Sequence, residues 1–229
     1  MKKVAILQSN YIPWKGYFDL IAAVDEFILY DDAQFTKNDW RNRNKIKTPH
    51  GLEWLSIPVG ANIHRQIREV SPSSHLWQEK HWKSLCNNYS KAPFFWEIAP
   101  ILKPLYLETV HNNLSQLNRM FIETICAYLG IKTKITNSWD YGFVPGRIER
   151  LLHICHQAGA TEYISGPAAQ SYIDDTLFAK ANIELTWFSY NSYPEYPQRG
   201  GAFEHGVSIV DLLFNCGQTS AKYMKYTAR

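Results

Sequence analysis

The sequence lacks most of the signatures that announce a chemistry. Its four cysteines, Cys86, Cys126, Cys155 and Cys216, include no Cys-x-x-Cys pair, so neither a zinc site nor a dithiol redox centre is indicated. Each falls in a stretch with helical patterning, where buried free thiols in a reducing compartment are expected. No apolar run reaches the roughly 18 residues that span a bilayer. The chain opens directly into an apolar strand rather than a secretion signal, so the expectation is a cytoplasmic protein without membrane insertion. Gly-x-Ser-x-Gly, a Walker A loop, a cysteine-nucleophile signature and a Rossmann glycine triplet are all missing. Charge is not extreme: a net +3 and a pI near 8.6 are too mild to indicate nucleic-acid binding by themselves. Internal repeats and low-complexity linkers are absent, which leaves one domain over residues 1–229.

What is present is a soluble globular composition, 45% hydrophobic and 20% charged, with a high aromatic share of 14% that supplies flat walls for sugars and bases as readily as bulk for a core. Val4 to Leu7 is an unalternating apolar run, as for a strand buried on both faces of a parallel sheet. Asn10, Pro13 and Gly16 mark a turn; Phe18, Leu20, Ile21, Ala22 and Val24 form a helical face; Phe27 to Tyr30 is a second buried strand ending on Asp31-Asp32. Asn44–Lys47 and Leu52–Val59 flank Thr-Pro-His-Gly, a hairpin pattern. Residues from about 75 to 130 read as a helical segment: His75 to Tyr89, a region from Phe94 to Val110 expected to be broken by Pro100 and Pro104, and a longer helix stopped by Gly130. Strands at Lys132–Thr136, Tyr163–Ser165 and Ile183–Phe188 then alternate with helices. The fold expected is α/β: an open, mainly parallel Rossmann-like sheet with an inserted helical segment and a small β-hairpin.

In such sheets ligands bind beyond the carboxyl ends of the strands. Gln8, Asn10, Tyr11, Trp14 and Lys15 leave the first strand there, and a helix N-terminus beside Lys15 suits a phosphate or carboxylate. Trp14-Lys15-Gly16-Tyr17 echoes the His-x-Gly-His of nucleotidyl transferases, but both histidines are missing, so adenylyl transfer is not indicated. Asp31 and Asp32, with Gln34 nearby, leave the second strand; neighbouring strand residues point oppositely, so one of the two aspartates faces a ligand as a base or hydroxyl acceptor. Trp40, Arg41, Asn42 and Arg43 belong to a basic, Asn-rich run in which Arg41, Arg43, Lys45 and Lys47 share a face, fit for a diphosphate or, as second choice, an RNA backbone. His64, in a polar loop, is the candidate proton shuttle. Ser165 and Gly166 repeat the strand-end pattern, and the 189–205 loop with Tyr196 and Gln198 is too long for a mere connection and reads as a lid or specificity wall. His153, Cys155 and His156 superficially resemble metal spacing, but no further ligand follows and no metal is expected.

Several of these stretches together resemble the WbqC-like family, bacterial proteins found with O-antigen and other surface-polysaccharide gene sets. They are Ala5-Ile6-Leu7-Gln8, Asn10-Tyr11-Ile12-Pro13-Trp14, Gly16 to Ile21, Tyr30-Asp31-Asp32, Gln34-Phe35 and Trp40 to Asn44 in the first quarter of the chain, with Trp54-Leu55 after them. Tyr163 to Pro167, Tyr196-Pro197-Gln198 and Ser208 to Asn215 carry the likeness to the far end. Ser9 and Ala33 stand where the family pattern would have Pro and Val. The resemblance implies N-acyl or aminoacyl (glycyl) transfer to a nucleotide-linked amino sugar in surface-polysaccharide biosynthesis. It implies no tightly bound cofactor but an activated acyl donor, carried by an acyl carrier protein, coenzyme A, an adenylate or a charged tRNA. The partner would be a nucleotide diphosphate amino sugar, and His64, Asp31 or Asp32 would take the proton from its amine. A non-catalytic nucleotide-sugar-binding protein of the same pathway and a tRNA-interacting transferase are the competing readings.

Overall fold

The computed structural model describes residues 1–227. Five strands, β1 (Lys3–Leu7), β2 (Glu26–Leu29), β5 (Lys134–Asn137), β6 (Glu162–Ser165) and β7 (Glu184–Trp187), form a wholly parallel sheet in the order β5-β2-β1-β6-β7. Alternation inside the apolar runs explains its layers. Ala5, Phe27 and Leu29 face one buried cluster, and Val4, Ile6 and Ile28 face another. Strands apolar on both faces need helices on both. Helices α5 (Arg147–Gln157) and α6 (Asp175–Lys180) supply Leu151, Ile154 and Phe178 to the smaller cluster; α1 (Lys15–Ala22), α4 (Leu114–Tyr128) and α7 (Ile209–Cys216) cover the other face.

Strands β3 (Arg43–Thr48) and β4 (Gly51–Ser56) form a separate antiparallel hairpin, closed at Gly51 with φ +118°. The helical segment holds α2 (Leu76–Tyr89) and α3 (Phe95–Leu107) as well as α4. Against the sequence expectation, α3 runs unbroken through Pro100 and Pro104. Each proline deprives the residue four earlier of its amide partner; for Pro100 that residue is Trp96, which is 79% exposed, so water can satisfy the carbonyl.

The strand order has one consequence for function. The chain steps outward from β1 to β2 to β5, then returns across β1 to β6 and β7. The switch therefore lies between β1 and β6, the position where open α/β sheets leave a crevice. Registered pairing between these strands ends at Val4–Tyr163, whereas β1 and β2 stay paired through Leu7–Leu29. No described helix is long and apolar enough to cross a membrane.

Candidate functional site

The residues after β1 are held in an unusual backbone. Ile12, a β-branched residue, sits at φ +36° with no solvent exposure. Its carbonyl accepts hydrogen bonds from Asn44 Nδ2 (2.9 Å) and Ser208 Oγ (2.6 Å), and Asn44 also donates to the carbonyl of Tyr11 (3.1 Å). Strain of this kind persists only where neighbours over-determine it. Trp14, two residues on, lies directly over Gly16, where an added Cβ would stand 2.4 Å from the indole. That is why a glycine occupies the first turn of α1.

A cavity of about 290 Å³ opens between this loop, the hairpin and the chain's last quarter. Asn10, Pro13 and Trp14 form one wall, Trp40 and Asn44 a second, His205 and Gly206 a third. Trp14 is braced by Tyr190 and Tyr193, at ring separations of 5.3 and 5.7 Å. Trp40 pairs with Trp54 (5.4 Å), and both indoles are about two-fifths exposed. Lys45 Nζ lies 5.8 and 5.6 Å from these two rings, and the Arg43 guanidinium lies 4.2 Å from Trp54. The mouth is thus aromatic and cationic.

Several residues singled out from the sequence lie elsewhere. Tyr11 is fully buried, its hydroxyl between His81 Nδ1 (3.0 Å) and Tyr106 (2.7 Å) in the helical layer. Lys15 does not face an open phosphate site: it is 3% exposed, bonded to the carbonyl of Pro194 (2.9 Å) and boxed by the rings of Tyr193, Tyr196 and Phe203 at 5.1 to 5.9 Å. Burial brings its pKa down to about 8.

Both aspartates are engaged structurally, on opposite sides as alternation requires. Asp31 is fully buried and accepts from the Ser9 amide (2.8 Å) and Ser115 Oγ (2.5 Å); burial raises its pKa against the pull of these bonds. Asp32 accepts from Ser138 Oγ (2.5 Å) and pairs with Arg150 Nη2 (2.7 Å), a guanidinium itself only 2% exposed. Neither lines the cavity. His64 is exposed on the 60–64 loop, its amide bonded to Asn62 Oδ1 (2.8 Å), and Gln34 is exposed on a bridge to Gln66; both lie off the cavity walls.

The basic run splits as well. Arg41 turns back to cap β1, contacting the carbonyls of Gln8 and Ser9 and the Asn10 side chain. Asn42 donates to the carbonyl of Ile57 (2.8 Å). Lys47 is drawn inward to Gln198 Oε1 (2.8 Å), so only Arg43 and Lys45 remain at the mouth. Ser165 is buried and Gly166 lies under Tyr190, which stands between β6 and Trp14. Tyr196 and Gln198 anchor the long loop on buried Asp211, at 2.6 and 2.8 Å from Oδ1. Asp211, bonded also by Tyr89 (2.7 Å), was not singled out from sequence; a lone acidic residue inside the apolar Ile209–Phe214 helix was the available sign. Gly206, just beyond the 189–205 loop, likewise joins the walls only once the chain is folded. Among the described residues no three His, Cys, Asp or Glu side chains gather as a metal site.

The WbqC-like protein family model matches residues 8–223. An uncharacterized protein of Mycobacterium tuberculosis, Rv1507c, is 55% identical over 228 residues, 99% of either chain. No solved structure matches. With a match that begins at the carboxyl end of β1 and runs past α7, the chain belongs to the WbqC-like family.

Proposed function

We propose that the chain binds a nucleotide-linked amino sugar at the tryptophan-walled cavity and transfers an acyl or aminoacyl group, glycyl in the family's suggested chemistry, to its amine. The observation that carries this reading is the composition of one cavity: two indoles for a ring face, Asn10 for hydroxyls, and Lys45 with Arg43 at the mouth for a diphosphate. At about 290 Å³ the cavity is at the small end of ligand sites, enough for one ring, which leaves the rest of the ligand along the mouth. Belonging to this family supports a role in surface-polysaccharide assembly, the setting in which the family is found.

Of the cavity walls, His205 is the one that carries an imidazole, a side chain whose ring nitrogen can accept a proton. In the transfer the amine nitrogen forms a bond to the acyl carbon, the bond from that carbon to its carrier breaks, and the carrier leaves with the electron pair. His205 takes the proton that the amine must lose. Asp31, bonded to the Ser9 amide, holds the wall at Asn10 from behind, while Asp32 is tied to Ser138 and Arg150 on the other side of the sheet. Their closed bonding is also what favours a second reading, a binding protein without catalysis.

The test is a melting-temperature panel with UDP-, dTDP- and GDP-linked amino sugars. A shift of several degrees that disappears in Trp40→Ala is expected, since a ligand bound only by the folded form raises the midpoint. His205→Gln keeps the shift but loses acylated product in cells if transfer occurs, and leaves product unchanged if the chain only binds. No shift from any nucleotide sugar overturns both readings.

A further inference from the structure

A groove on the carboxyl side of β2 and β5 plays no part in the function proposed above. Two adjoining cavities, of about 490 and 400 Å³, share Arg68 and Trp139 as walls. One extends to Asp32, Phe143 and Arg150, the other to Ser115, Gln116 and Arg119 at the start of α4.

The walls combine guanidinium groups with flat rings. Arg68 bonds Gln66 Oε1 (2.6 Å), lies 5.5 Å from the Trp139 ring centre, and has no carboxylate partner among the described residues. Arg119 is held by Glu123 (2.8 Å) and the carbonyl of Ile135 (2.9 Å). Arg150, almost wholly buried, directs its terminal nitrogens to Asp32 and to the carbonyls of Ser138 and Gly142, and its Nε has no protein partner. Asp32 is the only carboxylate on either cavity's walls, and Arg150 already neutralises it. Phe143 stands on the rim, 74% exposed and 5.7 Å from the Arg150 guanidinium. A hydrophobic ring left in water beside arginines in a concave, polar groove offers a stacking surface next to anion-binding forks.

We propose that this groove is a second ligand site, taking a nucleotide whose phosphate lies between Arg68 and Arg119 and whose base rests against Trp139 and Phe143. Its volume falls within the range of small-molecule sites. It is separate from the tryptophan-walled cavity. Asp31, with no solvent exposure, stands between them, receiving Ser115 from the groove side and the Ser9 amide, next to Asn10, from the cavity side. The proposal therefore holds whether or not the first cavity binds a nucleotide sugar.

The test is calorimetric titration of the full chain with ADP and with inorganic pyrophosphate. ADP is expected to bind, Arg68→Ala to weaken ADP and pyrophosphate at least tenfold, and Trp40→Ala to change neither. Phe143→Ala, at a side chain too exposed to matter for folding, is expected to weaken ADP several-fold and leave pyrophosphate unchanged. Absence of ADP binding at millimolar concentration overturns the proposal. So does ADP binding that Trp40→Ala abolishes, since the nucleotide then occupies the other cavity.

Discussion

Asn44 donates to the carbonyl of Ile12 at 2.9 Å and so holds a β-branched residue in the left-handed region, at φ +36°. The same side chain is a wall of the tryptophan cavity. Asn44→Ala leaves two buried carbonyls, of Tyr11 and Ile12, without this donor, which costs about 1–3 kcal/mol. With the clamp gone, Ile12 relaxes toward negative φ and moves Trp14. The expected result is a lower urea midpoint together with a reduced ligand-induced melting shift. Asn42→Ala, which removes a single bond to Ile57, is expected to lower the midpoint and spare the ligand response.

A second prediction concerns the pair behind the groove. Asp32 and Arg150 are both almost fully buried and 2.7 Å apart. Removing one partner strands a charge in the interior, so Asp32→Ala is expected to cost about 3–5 kcal/mol. Replacing both, with Asp32→Ala and Arg150→Met together, should cost less than Asp32→Ala alone, because no uncompensated ion remains. Chemical denaturation of the unmodified chain, of Asp32→Ala and Arg150→Met singly, and of the double variant measures this. A double variant as unstable as the sum of the singles would show that Arg150 is not stabilised through Asp32.

The contrast between Lys45 and Lys47 shows how far the sequence could be read. Strand β3, its hairpin and the parallel sheet follow from local pattern: apolar runs, turn residues and period, each a short-range signal. Alternation also put Lys45 and Lys47 on one face. Which of them meets solvent is decided by Gln198, about 150 residues away, whose Oε1 draws Lys47 inward. Lys15 has the same history: its neighbours suggest an anion site, but Pro194 and three rings of a distant loop enclose it. The parallel sheet and the loops that leave its strands were legible; side-chain destinations set by the long loop were not. Asp31 and Asp32 illustrate the limit within one dipeptide, since strand alternation separates them but does not say that both find buried partners.

At the opposite edge of the sheet Glu26 gathers Lys2 (2.6 Å), Lys134 (3.1 Å), Thr136 and Tyr141. Burial alone would raise its pKa, but the bonds from Lys2, Tyr141 and Lys134 outweigh it and bring the value down to about 2. A carboxylate with a folded pKa below its unfolded one contributes stability above about pH 4.5 and loses it as the pH falls toward 2. Both lysines are partly exposed, so solvent screening reduces the gain to about 1–2 kcal/mol. Glu26→Gln is expected to lower stability at pH 7 and to flatten its loss between pH 4.5 and 2, read from urea midpoints across that window.

Lys15 predicts a slope of the same sign on the alkaline side. Its ammonium is desolvated without an ion pair, Asp19 and Cys216 being the titratable groups that act on it most, and its pKa falls to about 8 against an ordinary 10.5. Above pH 8 the folded chain sheds this proton while the unfolded chain keeps it, so the Lys15 contribution to stability rises with pH until about 10.5. Below pH 8 the penalty of burying the charge is fully present; the shift corresponds to at most about 3 kcal/mol, and the three enclosing rings offset part of it. Lys15→Met keeps the bulk inside the box and removes the titration. Subtracting its urea stability from that of the unmodified chain at each pH cancels groups common to both, including the buried Tyr193 and Tyr196, whose pKa values burial raises. The difference is expected to move in favour of the unmodified chain from pH 7.5 to 9.5. A difference that stays level would mean that Lys15 does not titrate in that range.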